Sequence, residues 1–131
     1  MMPLSRLYAL VLGAVYLLVG LVGFVVAPGL ETRPLVIFDI NLVHNLVHLA
    51  LGIAGLAAYF GGSGTSRLYA QAVGTVLLVV ALAGFLPQPL LGILPIGGAD
   101  IFLHAATGAL GVYAGFFAPA GAATAAATAR A

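Results

Sequence analysis

Leu4 to Ala27 reads LSRLYALVLGAVYLLVGLVGFVVA, an unbroken apolar run whose only charge, Arg6, stands at its start. At about 1.5 Å per helical residue, such a run covers the roughly 30 Å of a bilayer's hydrocarbon core. Its opening, Ser5-Arg6-Leu7-Tyr8-Ala9, returns as Ser66-Arg67-Leu68-Tyr69-Ala70. In the same register Gly13 returns as Gly74 and Gly23-Phe24 as Gly84-Phe85. A cleaved signal peptide would have a shorter apolar region, and this one has a second copy inside the chain, so the segment reads as a structural helix.

Working outward, three more apolar stretches of spanning length follow, roughly Ile40 to Phe60, Leu68 to Leu86 and Ala99 to Ala118. They are divided by turn and breaker residues: Pro28-Gly29 with Pro34, then Gly61-Gly62-Ser63-Gly64, then Pro87-Gln88-Pro89 with Pro95 and Gly97-Gly98. The second and fourth stretches also match, pairing His44 with Asp100, His48 with His104, Gly52 with Gly108 and Gly55 with Gly111. The expected fold is all-α, a four-helix transmembrane bundle built from two duplicated helical hairpins, 1–62 and 63–118, related by a pseudo-twofold axis along the membrane normal. Residues 119–131, rich in Ala and Thr, read as a disordered tail.

Composition agrees with a membrane protein and excludes several functions. Of 131 residues, 63% are hydrophobic and 5% charged, against about a quarter charged in soluble domains. The mean hydropathy is +1.24. Four basic and three acidic residues leave a net charge of +1, too little for a nucleic-acid-binding stripe or a polybasic lipid patch. The absence of cysteine removes disulfides and thiolate sites. Arg6, Arg67 and Arg130 flank the N-terminus, the middle loop and the C-terminus, so both termini are expected in the cytoplasm. Arg33 beside Glu31 reads as a solvated charge pair.

All three histidines fall in the matched pair of stretches, where polar groups within a membrane span commonly mark function. Asn41, His44, Asn45, His48, Gly52 and Gly55 recur at three- and four-residue steps and share one helix face. Asp100, His104, Gly108 and Gly111 trace the corresponding face of the fourth helix. With helices two and four facing each other, His44, His48, Asp100 and His104 would enclose one ion near the extracytoplasmic boundary. Bundle cores build metal sites in this way. Three imidazoles and a carboxylate suit zinc first, then iron, copper or manganese, and do not suit calcium or magnesium. Asn41, Asn45 and Thr107 are placed to receive or relay the hydrogen bond of an imidazole's other N–H.

Two other readings stay open. His48 and His104 could be symmetric axial ligands of a haem in an electron-transfer subunit, with Gly52 and Gly108 leaving room for the macrocycle. Alternatively, the cluster is a hydrogen-bonded or proton-relaying core without a cofactor. No nucleophile with its base, paired acids or phosphate loop is present, which argues against an enzyme. Tyr8, Tyr69, Tyr59 and Tyr113 read as interfacial anchors. The glycines of helices one and three read as packing notches, and Pro87 to Gly98 as an interfacial segment or a lid over the bundle.

The run Asn41-Leu42-Val43-His44-Asn45-Leu46-Val47-His48-Leu49 with Gly52 and Gly55, and its degenerate copy ending in Asp100 and His104, resembles the domain-of-unknown-function family 4383. The likeness covers about Leu4 to Phe117. It implies a small four-helix protein of a prokaryotic cytoplasmic membrane and assigns no activity. In place of the family's Asn-x-x-Asp-Asn-x-x-His on helix four, this chain has Gly97 and Ile101 where the asparagines would stand. Beyond the lipid bilayer, partners are expected to be copies of the chain or a larger membrane complex in which it is an accessory subunit.

Overall fold

The computed structural model describes residues 2–119; apart from Pro119, the tail read as disordered lies outside the described residues. Four helices form the fold: α1 (Leu4–Val26), α2 (Leu42–Phe60), α3 (Ser63–Ala83) and α4 (Ala99–Val112), the last running into a π-helical turn at Tyr113–Phe117. Each, with the π-turn counted into the fourth, is long and apolar enough to cross a membrane. Only 28–39% of each span's apolar stretch is buried against protein, which leaves most of its surface for lipid.

The helix limits follow local chemistry. Ala27 leaves the helical region at φ −134°, as residues before proline do. Asn41 caps α2 by accepting a hydrogen bond from the His44 amide at 3.0 Å. Gly62 and Gly98 precede α3 and α4 at φ +102° and +61°, where a side chain would be strained. The third helix starts at Ser63, over a turn before the expected Leu68, because Ser63 and Gly64 are helical once Gly62 has made the turn. Ile40 lies outside the second helix, in a two-stranded hairpin absent from the sequence reading. Its strands, β1 (Arg33–Leu35) and β2 (Phe38–Ile40), pair antiparallel with Leu35 opposite Phe38.

Glycine notches let each pair of sequential helices approach to backbone contact. A Cβ on Gly13 would stand 2.8 Å from the Leu56 nitrogen, and one on Gly74 would stand 2.5 Å from the Val112 nitrogen. On the facing helices, Gly52 abuts the Leu17 backbone and Gly108 the Leu78 backbone. The contacts of one hairpin thus recur in the other. At the end of the bundle opposite the β1–β2 hairpin, Arg6 donates to the Tyr59 carbonyl at 3.2 Å and Arg67 to the Gly115 carbonyl at 2.8 Å, each closing the C-terminal end of its neighbour. Gly64, by contrast, has open space around it inside α3. Gly64→Ala should therefore stabilise the helix by about 0.5–1 kcal/mol, read as a higher unfolding midpoint in detergent.

Two expectations are corrected here. Helices two and four do not face each other across the centre; α1 and α3 meet there, burying Tyr8, Ala9, Leu12 and Tyr16 against Tyr69, Ala70, Val73 and Leu77. The reason is that the glycine faces of α2 and α4 are used up inside the hairpins, against α1 and α3. Tyr8 and Tyr69 are buried rather than interfacial, at 4% and 7% exposure. Each hydroxyl crosses to the other hairpin, Tyr8 toward Gly111 and Tyr69 toward Gly55, filling space only a glycine leaves.

Candidate histidine site

His44, His48, Asp100 and His104 are all buried, in the first two turns of α2 and α4 at the loop end of the bundle. Among the described residues, a hydrogen bond joins only two of them. The Nε2 atoms of His44 and His48 stand 3.1 Å apart, with the rings edge to face at 4.4 Å between centroids. Their i, i+4 spacing on one helix face brings them together. His44 Nδ1 is 2.8 Å from the Pro95 carbonyl, an acceptor, so this nitrogen carries the proton and Nε2 presents a lone pair.

Asp100 and His104, one turn apart on the buried face of α4, line different cavities beside this pair. A cavity of about 310 Å³ has His44, His48 and Asp100 in its wall, and a smaller one of about 60 Å³ has His44, His48 and His104. Among the described residues, no three acidic or histidine side chains are arranged to hold a metal ion together. Four polar atoms here are buried without a hydrogen-bond partner among the described residues: His48 Nδ1, His104 Nδ1, Asp100 Oδ2 and the Tyr16 hydroxyl. Polar atoms buried in this way call for a ligand, an ion or water.

The three neighbours expected to orient the imidazoles do other work. Asn41 donates from Nδ2 to the Leu30 carbonyl at 3.3 Å and the Ile93 carbonyl at 2.7 Å, joining both loops to the start of α2. Asn45 donates to the Ala27 carbonyl at 2.9 Å, and its carbonyl oxygen lies over Gly23, which has no side chain to obstruct it. Thr107 donates to the Leu103 carbonyl of its own helix at 2.7 Å. Ile93 and Pro95 both belong to the segment between α3 and α4, so that segment covers the end of α2 as a lid. Gln88 braces it by accepting from the Ile96 amide at 3.0 Å.

Sequence reading missed two contributors. Tyr16 stacks flat on His48, centroids 4.7 Å apart and planes 8° from parallel. Its signal was a mismatch: in the register that aligns Ser5-Arg6-Leu7-Tyr8-Ala9 with Ser66-Arg67-Leu68-Tyr69-Ala70, Tyr16 corresponds to Leu77, a phenol opposite an aliphatic group. The Pro95 carbonyl left no signal, because a backbone acceptor is specified by the loop path and not by residue type.

The model of a domain of unknown function (DUF4383) matches residues 6–117 of the chain. No curated protein and no solved structure matches it. The apolar spans, the glycine-notched hairpins and the buried histidine pair all fall within the matched region, and the chain belongs to the DUF4383 family.

Proposed function

We propose that this is a small multi-pass membrane protein in which His44 and His48 hold one transition-metal ion, zinc first among the candidates. The observation that carries this reading is the meeting of two buried imidazole Nε2 atoms at 3.1 Å, a hydrogen bond from His48 to His44 that an ion would replace by taking the place of the Nε2 proton. At metal–nitrogen bonds of about 2.0–2.1 Å, adjacent ligands on one ion stand roughly 2.9–3.4 Å apart for right-angle to tetrahedral geometry. The His44 Nδ1–H bond to Pro95 supports it further, since a metal-bound imidazole commonly donates its other N–H to such an acceptor. His104 or Asp100 completes the shell by turning toward the pair across one of the flanking cavities. The ion then locks α2 to α4, whose backbones do not otherwise meet closely.

The matching contacts of the two hairpins support a duplicated origin for the chain. The placement of Arg6 and Arg67 supports cytoplasmic termini, with the histidines near the extracytoplasmic side of a prokaryotic membrane. Haem finds less support, because Tyr16 covers one face of His48 and His44 stands against its Nε2. That is the space a porphyrin would need.

Metal content per chain, by plasma mass spectrometry of detergent-purified protein, tests the reading. About one ion per wild-type chain, nearly all lost in His48→Ala and kept in Tyr69→Phe, is the expected result. Equal content in all three samples, or no metal in wild type after exposure to zinc, iron, copper and manganese, would leave a polar core without an ion.

A further inference from the structure

The β1–β2 hairpin joins a charged base to an aliphatic tip. Arg33 and Glu31 stand 3.7 Å apart at the base, both well exposed, with exposed Asp39 across the ladder from Pro34. The tip is Leu35-Val36-Ile37-Phe38, where Val36 is 89% and Ile37 68% exposed. Val36 adopts φ +61°, a region costly for a β-branched residue and easy for glycine. The chain keeps a bulky aliphatic side chain at a strained position where the protein scarcely covers it.

The direction of the hairpin shows what surrounds this side chain. Rather than projecting beyond the bundle, β1 packs on α1. Leu35, Val36 and Phe38 share the 310 Å³ cavity with Val15, Val19 and Val22. Those valines lie between the middle and the loop end of a helix long and apolar enough to cross a membrane, so the hairpin runs back alongside a span. Among the described residues no Lys or Arg lines the cavity, which makes a phosphate headgroup a poor occupant. Lipid-exposed backbone that is not helical is excluded from the hydrocarbon core, and this ladder has only two strands, pairing Arg33 with Ile40, Pro34 with Asp39 and Leu35 with Phe38. Its open edges therefore keep the hairpin backbone at the interface, where water reaches it, while its aliphatic side chains point inward. The helix lengths agree: α1 has 23 residues and α2 only 19, a difference of about 6 Å that the hairpin makes up on the loop side.

We propose that the β1–β2 hairpin is an interfacial anchor, with the aliphatic side chains of its tip dipping into the upper acyl chains of the leaflet at the loop end and its backbone and charged base at the headgroups. The partner is the lipid tail itself, which covers the aliphatic mouth of the cleft at Val15, Val19, Val22 and Val36 and leaves the polar inner wall to the histidine site. This surface continues the lipid-facing side of α1, where Leu18 and Val22 are exposed. The cavity that reaches the histidine pair therefore opens sideways into the bilayer. None of this depends on a metal being bound.

The chain contains no tryptophan, so Val36→Trp gives a single reporter at a position with room for it, and Ile37→Trp gives a second if the first variant folds poorly. Full-length protein would be reconstituted in phosphatidylcholine vesicles. The expected result is blue-shifted emission that loses most of its intensity when the lipids are brominated along their chains and is indifferent to aqueous iodide. Glu31→Trp should show the reverse. Red-shifted emission quenched by iodide at position 36 would put the tip in water. Blue emission unaffected by brominated chains would mean that protein covers it. Either would overturn the inference.

Discussion

Gly52→Val and Gly74→Val should each prevent the bundle from closing, and the double variant should show no cooperative unfolding transition in detergent. The clash is with backbone in both places. A Cβ on Gly74 would stand 2.5 Å from the Val112 nitrogen and 2.6 Å from the Gly111 carbonyl carbon, and one on Gly52 would press on the Leu17 nitrogen and Cα. Backbone atoms in a helix cannot rotate aside as a side-chain end can, so the helices must separate along the seam. Overpacking a core costs about 1–3 kcal/mol even where side chains adjust. Between membrane helices the loss is greater in kind, because close van der Waals contact is itself a main driving force for association. Gly29→Ala is the control, since nothing lies within 4 Å of its Cβ position. Helical content held through a gradual rather than cooperative melt would mark separated spans. A sharp transition within a few degrees of wild type would show that the notches are not what brings the sequential helices together.

Asn41→Ala is the second large effect expected. The Asn41 side chain, 1% exposed, accepts from the His44 amide and donates to the Leu30 and Ile93 carbonyls. Removing it deletes a helix cap, typically worth about 1 kcal/mol, and leaves carbonyls of two loops without their donor at about 1 kcal/mol or more each. A loss of about 3 kcal/mol is expected from the sum of those terms. Asn41→Asp separates them, because a carboxylate still caps the His44 amide but cannot donate to the loops. Hydrogen exchange resolves the two parts. Both variants should lose protection around Ile93 and Pro95, and only Asn41→Ala at the start of α2. Unchanged protection in that segment would mean that other contacts hold the lid.

The same residue explains part of what was legible beforehand. Asn41 and Asn45 stand on the face that carries His44 and His48, a pattern visible from three- and four-residue spacing alone, and they were read as partners of the imidazoles. Spacing identifies a shared face but not the acceptor each side chain finds. Both amides instead reach backbone carbonyls at the ends of neighbouring elements, where unpaired C=O groups are available. The glycines were read more fully: Gly13 and Gly74 are notches, because a glycine recurring in an apolar span has few other uses than close approach.

The hairpin β1–β2 had almost no sequence signal. Its strands are three residues each, and its turn is Val36-Ile37 rather than the Asn-Gly or Gly-rich pair that announces a tight turn. Tyr16 was hidden for a different reason. An aromatic residue in an apolar span could face lipid or core, and only the meeting of α1 with α3 turns it inward, onto His48.

By itself the sequence determined the number of spans, their approximate limits, the use of recurring glycines as packing notches and the gathering of every histidine at one end. These follow from local quantities: apolar length, breaker residues and the periodicity of one helix face. Tertiary structure alone decided that α1 and α3, rather than α2 and α4, occupy the centre, and that His44 meets His48 while Asp100 and His104 line the cavities beside them. Which helix faces meet depends on how all four compete for the same glycine surfaces. That competition is settled by packing across the whole bundle and leaves no mark in the spacing of any single segment.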